Sequence, residues 1–200
     1  TQKPSSAASD VYKRQSLSDL EVVNKEKNVK LTSIKYKIDG TDQFITVATT
    51  RPETLLGDMA IAVHPDDKRY KEYIGKDVEL PLCNRKIPII ADDYVDMEFG
   101  SGAVKITPGH DFNDYEIGKR HGLSMDSKNN IIQGDESSFE PISVLDKHAK
   151  ICGCAPKNFH ELNRFEARKK ILANLESEDL IAGIEEYETS LPFGDRSDEI

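Results

Sequence analysis

Residues 99–122 read FGSGAVKITPGHDFNDYEIGKRHG, a strand, a turn and a helix in immediate succession. Alternation over residues 103–107 puts Ala103, Lys105 and Thr107 on one face and Val104 and Ile106 on the other, after the turn signal Gly100-Ser101-Gly102. Pro108 and Gly109 end the strand, and Asp111 opens a helix that runs to His121 and stops at Gly122. With the apolar face of the strand on a core, Lys105 and Thr107 face solvent or a cavity, and Asp111 and Asp114 stand on the first turn of the helix beside them. One ammonium, one hydroxyl and two carboxylates converge there.

Upstream, Ile34, Tyr36 and Ile38 alternate with Ser33, Lys35 and Lys37, and Asp39-Gly40 supplies a turn before a second strand over 44–50, which predicts a β-hairpin. Thr50-Arg51-Pro52-Glu53 has capping-box form and opens a short helix ahead of the apolar run 59–63. Residues 65–74 read as a helix stopped by Gly75, and 78–82 and 87–91 as short strands in which Pro81 and Pro88 favour ends or edges. Downstream, 123–158 is a polar, turn-rich surface excursion with one hairpin around 131–144. Leu162, Phe165, Leu172 and Leu175 line one face of a second long helix. Residues 1–28 lack sustained periodicity and read as a leader, a linker or an artefact, leaving 29–200 as the domain. Short strands broken by a few helices do not make a doubly wound sheet. The expected fold is α+β and β-rich, a small closed or partly closed β-barrel with peripheral helices.

Composition bounds the function. The chain has 200 residues, 37% hydrophobic and 32% charged, enough for one core and without an apolar run that could span a bilayer. Three cysteines make an odd set and point to a reducing, cytoplasmic setting rather than a disulfide framework. A formal charge of −9 argues against broad coating of nucleic acid, which depends on many phosphate contacts, but is compatible with gripping one strand end. Cys152-Gly153-Cys154, with His148 and His160 nearby, departs from zinc-binding spacings, so neither metal nor other cofactor is expected.

Ordinary structural roles compete for every candidate residue. Asp111 can be a helix N-cap with Asp114 its capping-box partner, Lys105 a solvated strand residue, the glycine pair a turn, and Arg51 a surface residue beside a cap. The residues by themselves support a polar pocket.

TTRPETLLGD at 49–58 and KITPGHDFNDYEIGKRHG at 105–122 resemble the editing insertion of valyl-tRNA synthetases, as do HPDDKRY, IPIIADDYVDMEFGSGAV and NRFEARK elsewhere in the chain. The resemblance covers residues 29–196 and implies the editing-domain fold and hydrolysis of threonine wrongly esterified to tRNA(Val). The implied partners are the acceptor end of that tRNA and the synthetic core of a parent synthetase, with no membrane. It further implies that Asp111 pairs with the substrate's α-amino group, while Asp114, Lys105 and Thr107 read its hydroxyl and hold the ester. Arg51 and Phe99 would place the terminal adenosine, and Thr50 the attacking water. Phe112 and Tyr115 are expected to be core anchors, and His121 the charged last turn of its helix. Two departures stand out: Gly109 replaces the more usual alanine, and Ser124-Met125-Asp126 replaces an apolar continuation. The His-Ile-Gly-His and Lys-Met-Ser-Lys-Ser signatures of amino-acid activation are absent from these 200 residues. An isoleucyl- or leucyl-type editing domain, or an acceptor-end binding module without hydrolysis, are the alternative readings.

Overall fold

The computed structural model describes the backbone of Ala8–Asp10, Gln15–Leu17 and residues 22–194, with side chains over residues 28–188. Of the proposed leader, residues 1–7, 11–14 and 18–21 lie outside the described residues; the rest forms β1 (Ala8–Asp10), β2 (Gln15–Leu17) and the start of β3 (Val22–Ile38). The expected hairpin is present: Gly40, at φ 72°, turns β3 into β4 (Phe44–Thr49), with Ile34 opposite Val47 and Tyr36 opposite Ile45. Then follow β5 (Ala60–Val63), β6 (Asp77–Glu79), β7 (Lys86–Ala91) and β8 (Ala103–Ile106). The helix α1 (Phe112–Arg120), the small strands β9 (Ser124–Met125) and β10 (Ile131–Ile132), the helix α2 (Arg164–Ser177) and the strand β11 (Ile181–Gly194) complete the described chain.

Seven strands form one sheet in the order β11-β3-β6-β7-β5-β8, with β4 on the other edge of β3. Its two ends meet: β4 packs against β8, and the Ser101 hydroxyl donates to the Thr46 carbonyl. The result is a nearly closed barrel, as the strand pattern predicts. All pairings are antiparallel except β5 with β7. Ile34, Ile38, Ile45, Val47, Ile61 and Ile89 fill its interior with almost no exposure, while Ile106 is buried on the other face of β8 from Lys105. Pro88 lies just outside the β5–β7 pairing, where its missing N–H breaks no ladder bond to β5.

Five local expectations are corrected. Residues 65–74 form a succession of turns rather than a helix, because Asp67 is buried, accepts from the Arg69 backbone and guanidinium, and directs the chain into i→i+3 turns such as Tyr70 N to Asp67 O. The box at Thr50–Glu53 does not form. Residues Pro52–Gly57 make a 3-10 helix capped by Arg51 without a side-chain bond, and Glu53 turns inward to a bidentate pair with Arg168 of α2, at 2.8 and 2.9 Å. The excursion's hairpin is β9–β10, turned by Asp126, which accepts from the Lys128 and Asn130 N–H groups; the segment around 131–144 is not a hairpin. On α2 the buried stripe is Ala167, Ile171 and Leu175, an i, i+4, i+8 row, and Phe165 is left exposed. Phe112 and Tyr115 are not core anchors: Phe112 is 89% exposed, since α1 turns Asp114, Ile117 and Gly118 inward and its first-turn ring outward. No helix among the described residues is long and apolar enough to cross a membrane.

Arg168→Ala strands the buried Glu53 carboxylate without its partner. A loss of about 3 kcal/mol is expected, read as a lower urea midpoint at unchanged m; an unaltered midpoint would show that the pair does not hold the 3-10 helix.

Candidate active site

At the joint of β4, the 3-10 helix, β8 and α1 lies a cavity of about 320 Å³, at the lower end of the range for small-ligand sites. Its floor is a buried polar network centred on Asp58, which follows the 3-10 helix and is fully inaccessible. Three groups satisfy this carboxylate: the Tyr36 hydroxyl donates to Oδ2 at 2.7 Å, the Thr107 hydroxyl to Oδ1 at 2.6 Å, and the Lys105 ammonium to Oδ1 at 3.0 Å. Lys105 also donates to the Thr54 hydroxyl at 3.1 Å and to that of Thr107, so all three of its protons are engaged. Burial, and then the charge of Asp58, push the Tyr36 phenol well above its ordinary range, keeping it a neutral donor.

The helix α1 is fixed at both ends. Asp111 is its N-cap, with Oδ1 accepting from Asn113 N at 2.9 Å and Asp114 N at 3.2 Å. The other oxygen, Oδ2, has no described hydrogen bond. Asp114 is not a capping-box partner; its Oδ2 accepts from Thr107 N at 2.8 Å and ties the helix to β8. Burial pushes the Asp114 carboxyl up to about 6, with the Thr107 N–H and Lys105 pulling the other way. At the C-terminal end the Asp92 carboxylate takes Arg120 in two bonds, of 2.8 and 2.7 Å, and His121 at 2.9 Å. Burial opposes the charge on Asp92, but these bonds hold its carboxyl down at about 2.

Segment 141–144 of the excursion closes over the loop between β8 and α1. A side chain at Gly109 would drive its Cβ into the Ile142 carbonyl, which gives the sequence departure at this position a physical reason. Beside it Val144 N donates to His110 Nε2 at 2.9 Å, while Arg51 donates to the His110 carbonyl at 3.0 Å. Burial, then the charges of Arg51 and Lys105, lower the His110 imidazole to about 4. At the rim Phe99, 56% exposed, meets Tyr187 of β11 edge to face at 6.3 Å between centroids. Among the described residues the lining holds no serine or cysteine, and its hydroxyls belong to threonines and tyrosines. What it offers is fixed hydrogen-bonding groups able to orient a water and a polar substrate.

A family model described as "Leucyl-tRNA synthetase, editing domain" matches residues 67–176, more than half of the chain. The chain belongs to this family of synthetase editing domains. It is 49% identical over 184 residues to the Valine–tRNA ligase of Legionella pneumophila (strain Lens), covering 92% of this chain and 18% of that protein. For the Valine–tRNA ligase of Francisella tularensis subsp. tularensis (strain SCHU S4 / Schu 4) the identity is 47% over 184 residues, with the same coverage. The editing domain thus spans under a fifth of the length of the curated relatives it matches, and its sequence is of the valyl type. Among solved structures, LeuRS from Agrobacterium radiobacter K84, crystallised as a ternary complex with tRNA and LeuAMS, superposes with a TM-score of 0.53 at 19% identity, covering 82% of this chain and 20% of that one; it shares the fold.

All seven residues named from the sequence, Thr50, Arg51, Phe99, Lys105, Thr107, Asp111 and Asp114, line this same cavity. Sequence reasoning missed Asp58, Tyr36, Thr54, His110 and Tyr187. Inward alternation marked Tyr36 as buried, and His110 stands inside the motif itself, but nothing local signalled Asp58 or Tyr187. Cys152 and Cys154 are free thiols, and no group of three or more His, Cys, Asp or Glu among the described residues is placed to hold a metal.

Asp114 and His110 make opposite contributions to stability against pH. Raised from 3.8 to about 6, Asp114 contributes stability that is full below pH 4 and is lost as pH rises through 6. Lowered from 6.5 to about 4, His110 contributes stability that is full above pH 6.5 and is lost as pH falls through 4. In the native sequence the two largely cancel over this window. Asp114→Asn should therefore make the domain lose stability on acidification from pH 6.5 to 4, and His110→Gln should make it gain; urea midpoints across the window check both slopes.

Proposed function

We propose that this editing domain is a deacylase that hydrolyses the ester of threonine mischarged to tRNA(Val), as part of a valyl-tRNA synthetase whose synthetic core is its covalent partner. The reading is carried by one observation: the polar residues that the valyl-type motif assigns to substrate all line a single cavity, above a fully satisfied ionic floor. Valine and threonine are near-isosteric, so an apolar synthetic pocket rejects threonine poorly, whereas a pocket that hydrogen-bonds the hydroxyl leaves its own groups unpaired against valine.

In this reading Asp111 uses Oδ1 as the helix cap and the free Oδ2 for the α-amino group. Asp114 offers Oδ1 to the threonine hydroxyl while Oδ2 holds Thr107 N. Lys105, its protons committed, supplies fixed positive charge and holds Thr107 in place. Thr50, whose hydroxyl has no described partner, orients the attacking water, and Arg51 and Phe99 take the terminal adenosine by hydrogen bonding and stacking. In this reading an oriented water attacks directly and no covalent intermediate forms.

The match to a leucyl editing model keeps a sister specificity as the second reading. Deacylation of threonyl- and valyl-tRNA(Val) by this chain decides: selective loss of threonine is expected, equal or reversed rates point to the sister domain, and binding without hydrolysis points to an acceptor-end binding module. Asp114→Asn, which retains an oxygen for Thr107 N, should narrow the threonine preference by about tenfold, the worth of one charged hydrogen bond. Asp111→Ala should slow both esters alike, besides losing about 0.5–2 kcal/mol of helix capping. An unchanged threonine-to-valine ratio in Asp114→Asn removes Asp114 from hydroxyl reading.

A further inference from the structure

The donors at the floor of the cavity are already spent, while Thr50, Arg51 and Asn113 keep free ones nearer its mouth. The Lys105 protons go to Thr54, Asp58 and Thr107, the Thr107 hydroxyl goes to Asp58 and its N–H to Asp114, and the first N–H groups of α1 are taken by Asp111. His110 differs. Its Nε2 accepts from Val144 N at 2.9 Å, so that nitrogen carries no proton and a neutral ring must carry its proton on Nδ1. No described hydrogen bond uses Nδ1. It is also absent from the buried polar atoms that lack a partner, so it is not sealed off, and His110 stands between the cavity it lines with Thr50, Arg51 and Asp111 and a neighbouring hollow walled by Pro108, Phe112 and Tyr115.

We propose that His110 is a catalytic hydrogen-bond donor of this site, its Nδ1–H holding the ester carbonyl oxygen as that oxygen gains charge. The proposal rests on the deacylase reading above. Water's oxygen bonds to the carbonyl carbon and the π pair moves onto the carbonyl oxygen, which His110 stabilises. That pair then returns, the bond to the ribose oxygen breaks, and the ribose oxygen leaves with a proton from the water. His110 keeps its own proton throughout, which suits a ring that burial and the charges of Arg51 and Lys105 hold neutral down to about pH 4. A donor fixed in tautomer by a bond on its far side needs no reorientation as charge develops, which is the source of oxyanion stabilisation. Segment 141–144 is then part of the catalytic apparatus, because Val144 sets the proton on the useful nitrogen.

Two substitutions separate donating from anchoring. His110→Gln can place an oxygen where Nε2 stood, keeping the bond from Val144 N while losing the Nδ1 donor. His110→Asn places an amide near Nδ1 and gives up the Val144 bond. With threonyl-tRNA(Val) as substrate, His110→Gln should lower kcat by about 10²–10³-fold at little changed KM. His110→Asn should melt lower yet keep a higher kcat than the glutamine variant. Near-native kcat in His110→Gln, or equal losses in both variants, would overturn the proposal and leave the ring an anchor for segment 141–144. Nitrogen NMR of the imidazole tests the tautomer without any substrate: a protonated Nδ1 and a bare Nε2 between pH 5 and 8 are expected, and a protonated Nε2 overturns it. A native chain that hydrolyses neither ester sinks the deacylase reading instead, and His110's catalytic role with it.

Discussion

A single carboxylate, Asp58, sets the geometry of the site. Buried without exposure, it would be costly to ionise alone; it is accommodated because β3 sends Tyr36, β8 sends Lys105 and Thr107, and the 3-10 helix adds Thr54 through the shared ammonium. Two strands distant in sequence meet at its two oxygens, and the 3-10 helix is tied in through the shared ammonium. Such a network adds little to stability over an apolar replacement of equal volume, but it admits one arrangement, since any shift of strand or helix leaves a charge unpaired. The polar face of the cavity inherits that uniqueness: Thr107 is held by its hydroxyl to Asp58 and by its N–H to Asp114, so the barrel floor and the helix that carries both upper carboxylates are fixed to each other.

Much of this was legible in the sequence. Period-two patterns gave the β3–β4 hairpin and β8, Asp111 marked the start of α1, and the motif residues fell together. Local pattern failed where a long-range polar contact decided the outcome. Glu53 reads as a capping residue until Arg168, 115 positions away, takes its carboxylate, and Asp67 reads as part of a helix until its own guanidinium partner folds it into turns. Asp58, an acid just ahead of an apolar strand, has the signature of a turn residue; only the meeting of Tyr36 and Lys105 makes it the centre of the site. Phe112 failed differently, because aromatic character predicts burial on average while helix phase decides it in each case, and the phase of α1 is set by Asp114 and Ile117.

The two readings of Asp111 proved compatible. A carboxylate has two oxygens, and capping a helix occupies one of them, which fixes the direction of the other. Structural duty here is what orients the candidate ligand. The same holds for His110, whose bond to Val144 fixes its tautomer, and for Asp92, whose grip on Arg120 and His121 steadies the far end of α1.

The strands β3 and β11 run antiparallel from Ile34 opposite Ile181 to Val22 opposite Gly194. The polypeptide therefore enters and leaves the barrel along neighbouring tracks, with the two backbones about 5 Å apart. To a host protein, a unit connected in this way looks like a hairpin: it can be spliced into a surface loop without prising the flanking segments apart, and the entropy of closing that loop is met once, by the ribbon itself. The paired stem thus gathers both connections to the barrel at one edge of its sheet.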